Sequence, residues 1–220
     1  IWIAESDDYA DPAFLERCVS ELNADPSCVL AHTLSRTVAT DGTPFGKVRR
    51  AGRPARRMDG RRFAVRHLLR RNELYNASMV VFRRSALPAA ASYEGFRYAG
   101  DWYFWMLVAL QGRVATVFEP LNAFRRHAAA TTSQGERTGG LYEEVLRILP
   151  AVFGRMQVAT PVRWALEGKQ LCRLHKARRH FERNTDFERL WSRWCEVYRF
   201  NLLRRAWYRI YGALPDSMFF

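Results

Sequence analysis

No apolar run in the chain approaches the about 18 to 20 residues that a membrane-crossing helix requires, and no segment has signal-peptide form. These absences predict a soluble or peripheral protein. Cysteine is sparse: Cys18, Cys28, Cys172 and Cys195 are the full set and none stands in CxxC spacing. That pattern argues against a structural zinc site and a disulfide framework, and predicts reduced thiols in a cytosolic compartment. Internal repeats and low-complexity tracts are also lacking, which excludes solenoids and collagen-like or disordered arrays. Acids are in deficit, 22 against 35 lysines and arginines, for a net charge of +13. At 220 residues, 48% hydrophobic and with seven tryptophans, the chain can still bury a substantial core.

The charge is unevenly placed. From Ile1 to Gly46, Arg17 and Arg36 face eight acids, whereas from Lys47 to Arg71 eleven basic residues meet only Asp59. From Arg163 to Arg209, thirteen basic residues face five acids. One acidic edge between two basic regions suits a metal with a polyanionic substrate, or a protein resting on anionic lipid. The same basic excess admits a nucleic-acid-binding module as a rival.

The acidic edge is sharply defined. Ile1–Ile3 is apolar and β-branched, and it gives way at once to Glu5, Asp7 and Asp8, with Asp11-Pro12 behind them. A strand ending in carboxylates puts hard oxygen ligands at the carboxyl edge of a sheet, where α/β folds bind ligands and a divalent cation can bridge phosphates. Asp residues that cap a helix starting at Pro12 would give the same letters. The chain opens inside this strand, without Met, which predicts an amino-terminally truncated protein.

Periodicity gives the remaining elements. Phe14, Leu15, Cys18, Val19 and Leu22 predict a helix over 12–22, and the β-branched run 27–40 predicts a strand closed by Asp41-Gly42. The arginine-rich 46–62 has no period and is expected to be a mobile surface loop; Phe63–Leu69 then suggests a short helix. Asn76–Phe82 reads as a buried strand, with a short helix or turn over 86–91, and Trp102–Leu110 as a helix apolar on every side. Arg113–Leu121 reads as a strand ending at Glu119-Pro120. After a loop over 131–140, helices are expected as far as Tyr211. Strands alternating with helices before an all-helical tail give an α/β domain over 1–137 and a helical segment over 138–220.

Two further groups carry chemistry. Asp101 stands between Tyr98-Ala99-Gly100 and the apolar helix, where a carboxylate is expensive unless it caps the helix or is used. Both duties are compatible, since a helix start holds a base in fixed orientation. His127 follows Arg125 and Arg126 and precedes a small, hydroxyl-rich segment. Arginines pair with phosphates, and imidazole ligates manganese-like ions, although a lone His is more often structural.

The ordered set AESDDYADPAFLE, NASMVVFRRSAL and YAGDWYFWMLVALQGRVATVFEPLNAFRRHAAATTS closely resembles the carboxyl-terminal half of the catalytic domain in family 2 glycosyltransferases, inverting enzymes of the GT-A fold. The resemblance covers Ile1 to about Ser133. It implies a GT-A-like mixed sheet flanked by helices, lacking the amino-terminal nucleotide-binding strands. It also implies that Asp7 and Asp8, with Glu5, bind a divalent cation (Mn or Mg) and a nucleotide-sugar. Asp101 becomes the base, and Arg126 and His127 lie by the diphosphate, His127 as a metal ligand. Tyr98, Gly100 and Trp102 fall on the substrate side. Two positions depart from the family pattern: Glu5 replaces the first Asp of the usual triplet, and Gly100 stands where an acid often precedes the base.

The expected activity is therefore metal-dependent, inverting sugar transfer to a glycan or lipid-linked acceptor in surface-polysaccharide synthesis. The expected location is cytoplasmic, peripheral on the inner face of the membrane, with the Arg-rich loop and Arg204, Arg205 and Arg209 beside Trp207 and Tyr211 on anionic lipid. The alternatives are the nucleic-acid module and an inactive truncated fragment.

Overall fold

The structure, a computed structural model, describes residues 1–48, 51–70, 72–89, 93–125, 131–199 and 206. The chain divides into two compact units, one of Ile1–Glu94 with Gly100–Ala128 and the other of Gly95–Ala99 with Ala129–Phe220.

The first unit is α/β, built on a mixed sheet. Its strands are β1 (Tyr9–Ala10), β2 (Cys28–Val38), β3 (Pro44–Phe45), β4 (Arg56–Asp59), β5 (Val80–Phe82) and β6 (Arg113–Arg125). β2 and β6 form a parallel central pair. β5 and then β3 run antiparallel along the outer edge of β2, and β4 and then β1 do the same along β6.

Helices cover both faces. α1 (Phe14–Ala24) buries Phe14, Cys18 and Leu22 against Cys28, Ala31, Val81 and Ala115. On the other face, α3 (Gly100–Ala109) sets Phe104 and Trp105 edge-on against Phe82, each at 5.6 Å between ring centroids. Every residue of α3 from Trp102 to Ala109 is buried, which is why its sequence shows no polar stripe. Burial of each large side chain here contributes about 1.5–3 kcal/mol.

Three expectations need correction in this unit. The arginine-rich segment is not wholly a loop, because β4 pairs along the first half of β6 from Arg56 opposite Thr116 to Asp59 opposite Arg113. Its backbone ladder and one buried residue, Met58, suffice for an edge strand, and a single apolar side chain leaves no visible period. Asp59 then accepts from Arg62 N at 2.9 Å and starts α2 (Gly60–Phe63), which runs into a π-helix over Ala64–Leu69. Secondly, the strand expected over 76–82 opens with a 3-10 turn at Ala77–Met79. Thirdly, β6 does not stop at Pro120. While β2 advances from Thr33 to Ser35, β6 advances from Val117 to Asn122, so Glu119-Pro120 lies in a bulge where a missing N–H costs no ladder bond. Beyond the bulge β6 rejoins β2 and reaches Arg125, carrying the carboxyl edge past the expected stop.

Gly60 fixes how α3 lies beside α2. Its N–H donates to Gly112 O at 2.9 Å, and a Cβ built on it would stand 1.7 Å from Ala109 O. The end of α3 thus meets the start of α2, at the same end of the sheet as the start of β6. Near the other end of α3, the Trp102 indole N–H donates to Leu68 O at 3.0 Å, close to the π-helix end. α3 therefore begins toward the carboxyl edge of the parallel pair.

The second unit is helical: α4 (Thr131–Thr138), α5 (Gly140–Met156), α6 (Thr160–Ala177) and α7 (Asn184–Val197). Here α4 occupies most of the expected loop. With small and hydroxyl residues it has no apolar stripe, and Gly135 packs against the Tyr98 ring, which a Cβ would approach to 2.6 Å. α7 buries Phe187, Leu190 and Trp194. Of the helix expected beyond it, residues 200–205 and 207–211 lie outside the described residues. The cysteines are free thiols, with Cys18 and Cys28 buried.

Candidate functional site at the carboxyl edge of the sheet

The chain leaves the Ile1–Ile3 segment, crosses the acidic residues and enters β1, which pairs with β6 beyond the bulge. This route brings the carboxylates to the end of β6. Asp8, half-buried, has both oxygens engaged: Oδ1 accepts from Arg125 N at 2.9 Å and Oδ2 from Asn76 Nδ2 at 2.5 Å. Glu5 lies on the same 76–78 segment, its Oε2 accepting from Ala77 N at 2.9 Å and its N–H donating to Ser78 Oγ at 2.9 Å. Asp7 is exposed, and its carbonyl accepts from Arg125 Nε at 2.9 Å. The Arg125 guanidinium also donates to Thr40 O at 2.6 Å, tying the acidic loop to the end of β2.

A buried polar line supports Asp8 from within. Ser35 Oγ donates to Asn122 Oδ1 at 2.6 Å across the β2–β6 pair, and Asn76 Nδ2 donates to the same oxygen at 2.9 Å. Asn76 and Asn122 are 4% and 1% exposed. Buried amides with satisfied donors hold a unique geometry, and a carboxylate bound to them cannot swing.

The Glu5 carboxyl is pushed above its ordinary value, first by desolvation and then by the charges of Asp8 and Asp7, against the Ala77 N–H. The oxygen donors at this edge are of the hard type that suits magnesium, manganese or calcium. No group of three or more His, Cys, Asp and Glu side chains stands at ligating spacing among the described residues. Asn76 Oδ1 is buried and has no hydrogen-bond partner.

Asp101 is exposed in the first turn of α3, where its Oδ1 accepts from Trp102 N at 2.6 Å. It is the second residue of α3, at the end of that helix that lies toward the carboxyl edge, rather than the residue before the helix. Gly100 is the first residue of α3. Trp102 is 6% exposed and its indole N–H donates to Leu68 O, so its ring packs in the core. Arg126 and His127 lie outside the described residues.

In the second unit, Tyr98 is half-buried with its ring over Gly135 and Gly140. The segment carrying it is held by Glu144, whose buried carboxylate accepts from Arg97 N, Tyr98 N and Ala99 N at 2.7–2.8 Å.

Sequence reasoning missed Asn76, Asn122, Ser35 and Glu144. Asn122, polar within an apolar strand, was the one visible signal; the others depend on pairings distant in sequence. No family model and no curated protein matches the chain.

Proposed function

We propose that the chain is part of an inverting, divalent-cation-dependent glycosyltransferase of GT-A-like fold. It would transfer a sugar from a nucleotide-sugar to a hydroxyl of a glycan or lipid-linked acceptor. The observation that carries the reading is the acidic segment Glu5–Asp8 held at the carboxyl edge of the parallel β2–β6 pair, with Asp101 opening α3 toward that edge. In open α/β sheets that edge is where ligands bind.

Each residue then has a task. Asp7 and Asp8, with Glu5, would hold the cation, which would supply positive charge to the leaving nucleoside diphosphate. Asp101 accepts the proton of the acceptor hydroxyl as its oxygen attacks the anomeric carbon. The bond from that carbon to the diphosphate breaks on the opposite side, so configuration inverts. Arg126 and His127 take the diphosphate side, as the resemblance implies. Cytoplasmic action at an anionic membrane surface accords with the basic regions and with the lack, among the described residues, of a helix long and apolar enough to cross a membrane.

The test is Asp101→Asn, assayed for sugar transfer to a hydroxyl acceptor with the fold followed by circular dichroism. A carboxamide cannot take the proton but keeps an oxygen for the Trp102 N–H, so turnover should fall by at least about a hundredfold with the fold retained. Unchanged turnover would remove Asp101 from the reaction.

A further inference from the structure

We infer that Tyr75, which no sequence motif marks, is a stacking platform for a sugar ring of the substrate. The inference rests on the sugar-transfer reading above and adds to it a binding residue for the sugar itself.

Tyr75 lies on a short strap between two parts of the first unit. Upstream of it, Glu73 N donates to His67 O at 2.9 Å, and the Glu73 carboxylate meets His67 Nδ1 at 3.0 Å. Both contacts tie the strap to the π-helix, whose Leu68 O receives the Trp102 indole N–H near the start of α3. Downstream, Asn76 Nδ2 donates to Asp8 Oδ2 and Asn122 Oδ1. Tyr75 is therefore carried between the helix that opens with Gly100-Asp101 and the carboxylate of Asp8. The electrostatics agree with that placement. Desolvation pushes the Tyr75 hydroxyl above its ordinary value against the bond to Ser35, and the charges of Asp8 and Glu73 push it further.

An exposed aromatic side chain is ordinary by itself, but this one is 38% exposed and also held still. Its hydroxyl donates to Ser35 O at 3.2 Å, and Phe124 meets it with centroids 5.4 Å apart and planes at 63°. At that angle Phe124 covers at most one face of the ring. Among the described residues no other ring or cation lies against Tyr75, so a face is open. A ring fixed in advance loses little freedom when a ligand lands on it. Its face carries the negative side of the aromatic quadrupole, which attracts the slightly positive C–H face of a sugar. The O–H groups on the rim of that sugar are donors, and Asp8 and Glu73 are the acceptors nearby. A nucleobase also has an apolar face, but no set of hydroxyls to match two carboxylates.

The experiment is NMR on the 220-residue chain with carbon-13 in its tyrosine rings. The signal of Tyr75, among nine tyrosines, is identified by its absence from Tyr75→Phe. The chain is titrated with the methyl glycosides of glucose, galactose, mannose and N-acetylglucosamine, and separately with the common nucleosides. At least one glycoside should shift the Tyr75 signal. Its affinity should stay within about threefold in Tyr75→Phe, which keeps the ring, and fall at least about tenfold in Tyr75→Ala and Tyr75→Leu, which lack it. If Tyr75→Ala fails to fold, Tyr75→Leu, which keeps apolar bulk against Phe124, decides. If neither folds, the wild-type shift and Tyr75→Phe decide. No shift with any glycoside, equal affinity in a folded Tyr75→Leu, or a shift with nucleosides alone would overturn the inference. Nucleoside diphosphate binding that still requires Mn²⁺ would then leave the sugar-transfer reading standing. Conversely, a glycoside response at Tyr75 without any such nucleotide binding would support the platform and remove the transfer reading.

Discussion

At the scale of single residues, the acidic edge combines groups that the sequence displays with groups that it hides. Glu5, Asp7 and Asp8 stand out because an apolar run breaks at them, and Asp101 because it fronts an apolar helix. Asn76 does not, since an asparagine ahead of a strand is ordinary until Asp8 and Asn122 are seen on either side of its nitrogen. Glu5 gives a pH-dependent test. Its carboxyl is raised above the ordinary 4.5 by desolvation, then by Asp8 and Asp7. The protonated form is therefore favoured by folding, and its stabilising effect is full below 4.5 and lost as pH rises through the raised value. Glu5→Gln, which keeps an oxygen for Ala77 N, should melt higher than wild type at neutral pH and equally at acid pH. Thermal denaturation across the range checks this, and a difference independent of pH would show that the charge of Glu5 is not in conflict with its surroundings.

Whole elements were legible where one face, or every face, is apolar. α1 and α7 show helical spacing because each buries one stripe, and α3 shows a continuous apolar run because it is buried on all sides. β4 and α4 were hidden for opposite reasons. β4 is held by its ladder to β6 with only Met58 buried, and α4 is built of small and hydroxyl residues. The bulge at Glu119-Pro120 reads from sequence as a strand end, since proline ordinarily stops a strand, and only the register with β2 reveals the continuation to Arg125. Glu144 acts on this scale too, by collecting three consecutive N–H groups of 97–99 within the second unit. Glu144→Ala should leave them unpaired at about 1–3 kcal/mol each, less what water recovers. Hydrogen exchange should show fast amides at 97–99 together with a lowered denaturation midpoint; protection unchanged at those three amides would contradict that anchoring role.

For the molecule as a whole, the surplus of basic residues says less than its arrangement. In the second unit several arginines are paired, Arg137 with Glu182, Arg163 with Glu167, Arg178 with Glu188 and Arg193 with Glu143. All but the pair to the buried Glu167 are exposed and add little stability, but they lower the local field that a polyanion would meet. A nucleic-acid module would rest on that field and leave the braced acidic edge without a role. The α/β class followed from alternating apolar runs, whereas the convergence of Glu5, Asp8, Asn76 and Arg125 depends on pairings dozens of residues apart. The most direct measurement is calorimetric titration of the chain with a panel of nucleoside diphosphates, with and without Mn²⁺, in wild type and Asp7→Ala. Binding of at least one nucleotide that requires Mn²⁺ and is lost in folded Asp7→Ala is the result expected. Nucleotide binding that ignores both the ion and Asp7, or none at all alongside salt-sensitive binding to nucleic acid, would contradict the account.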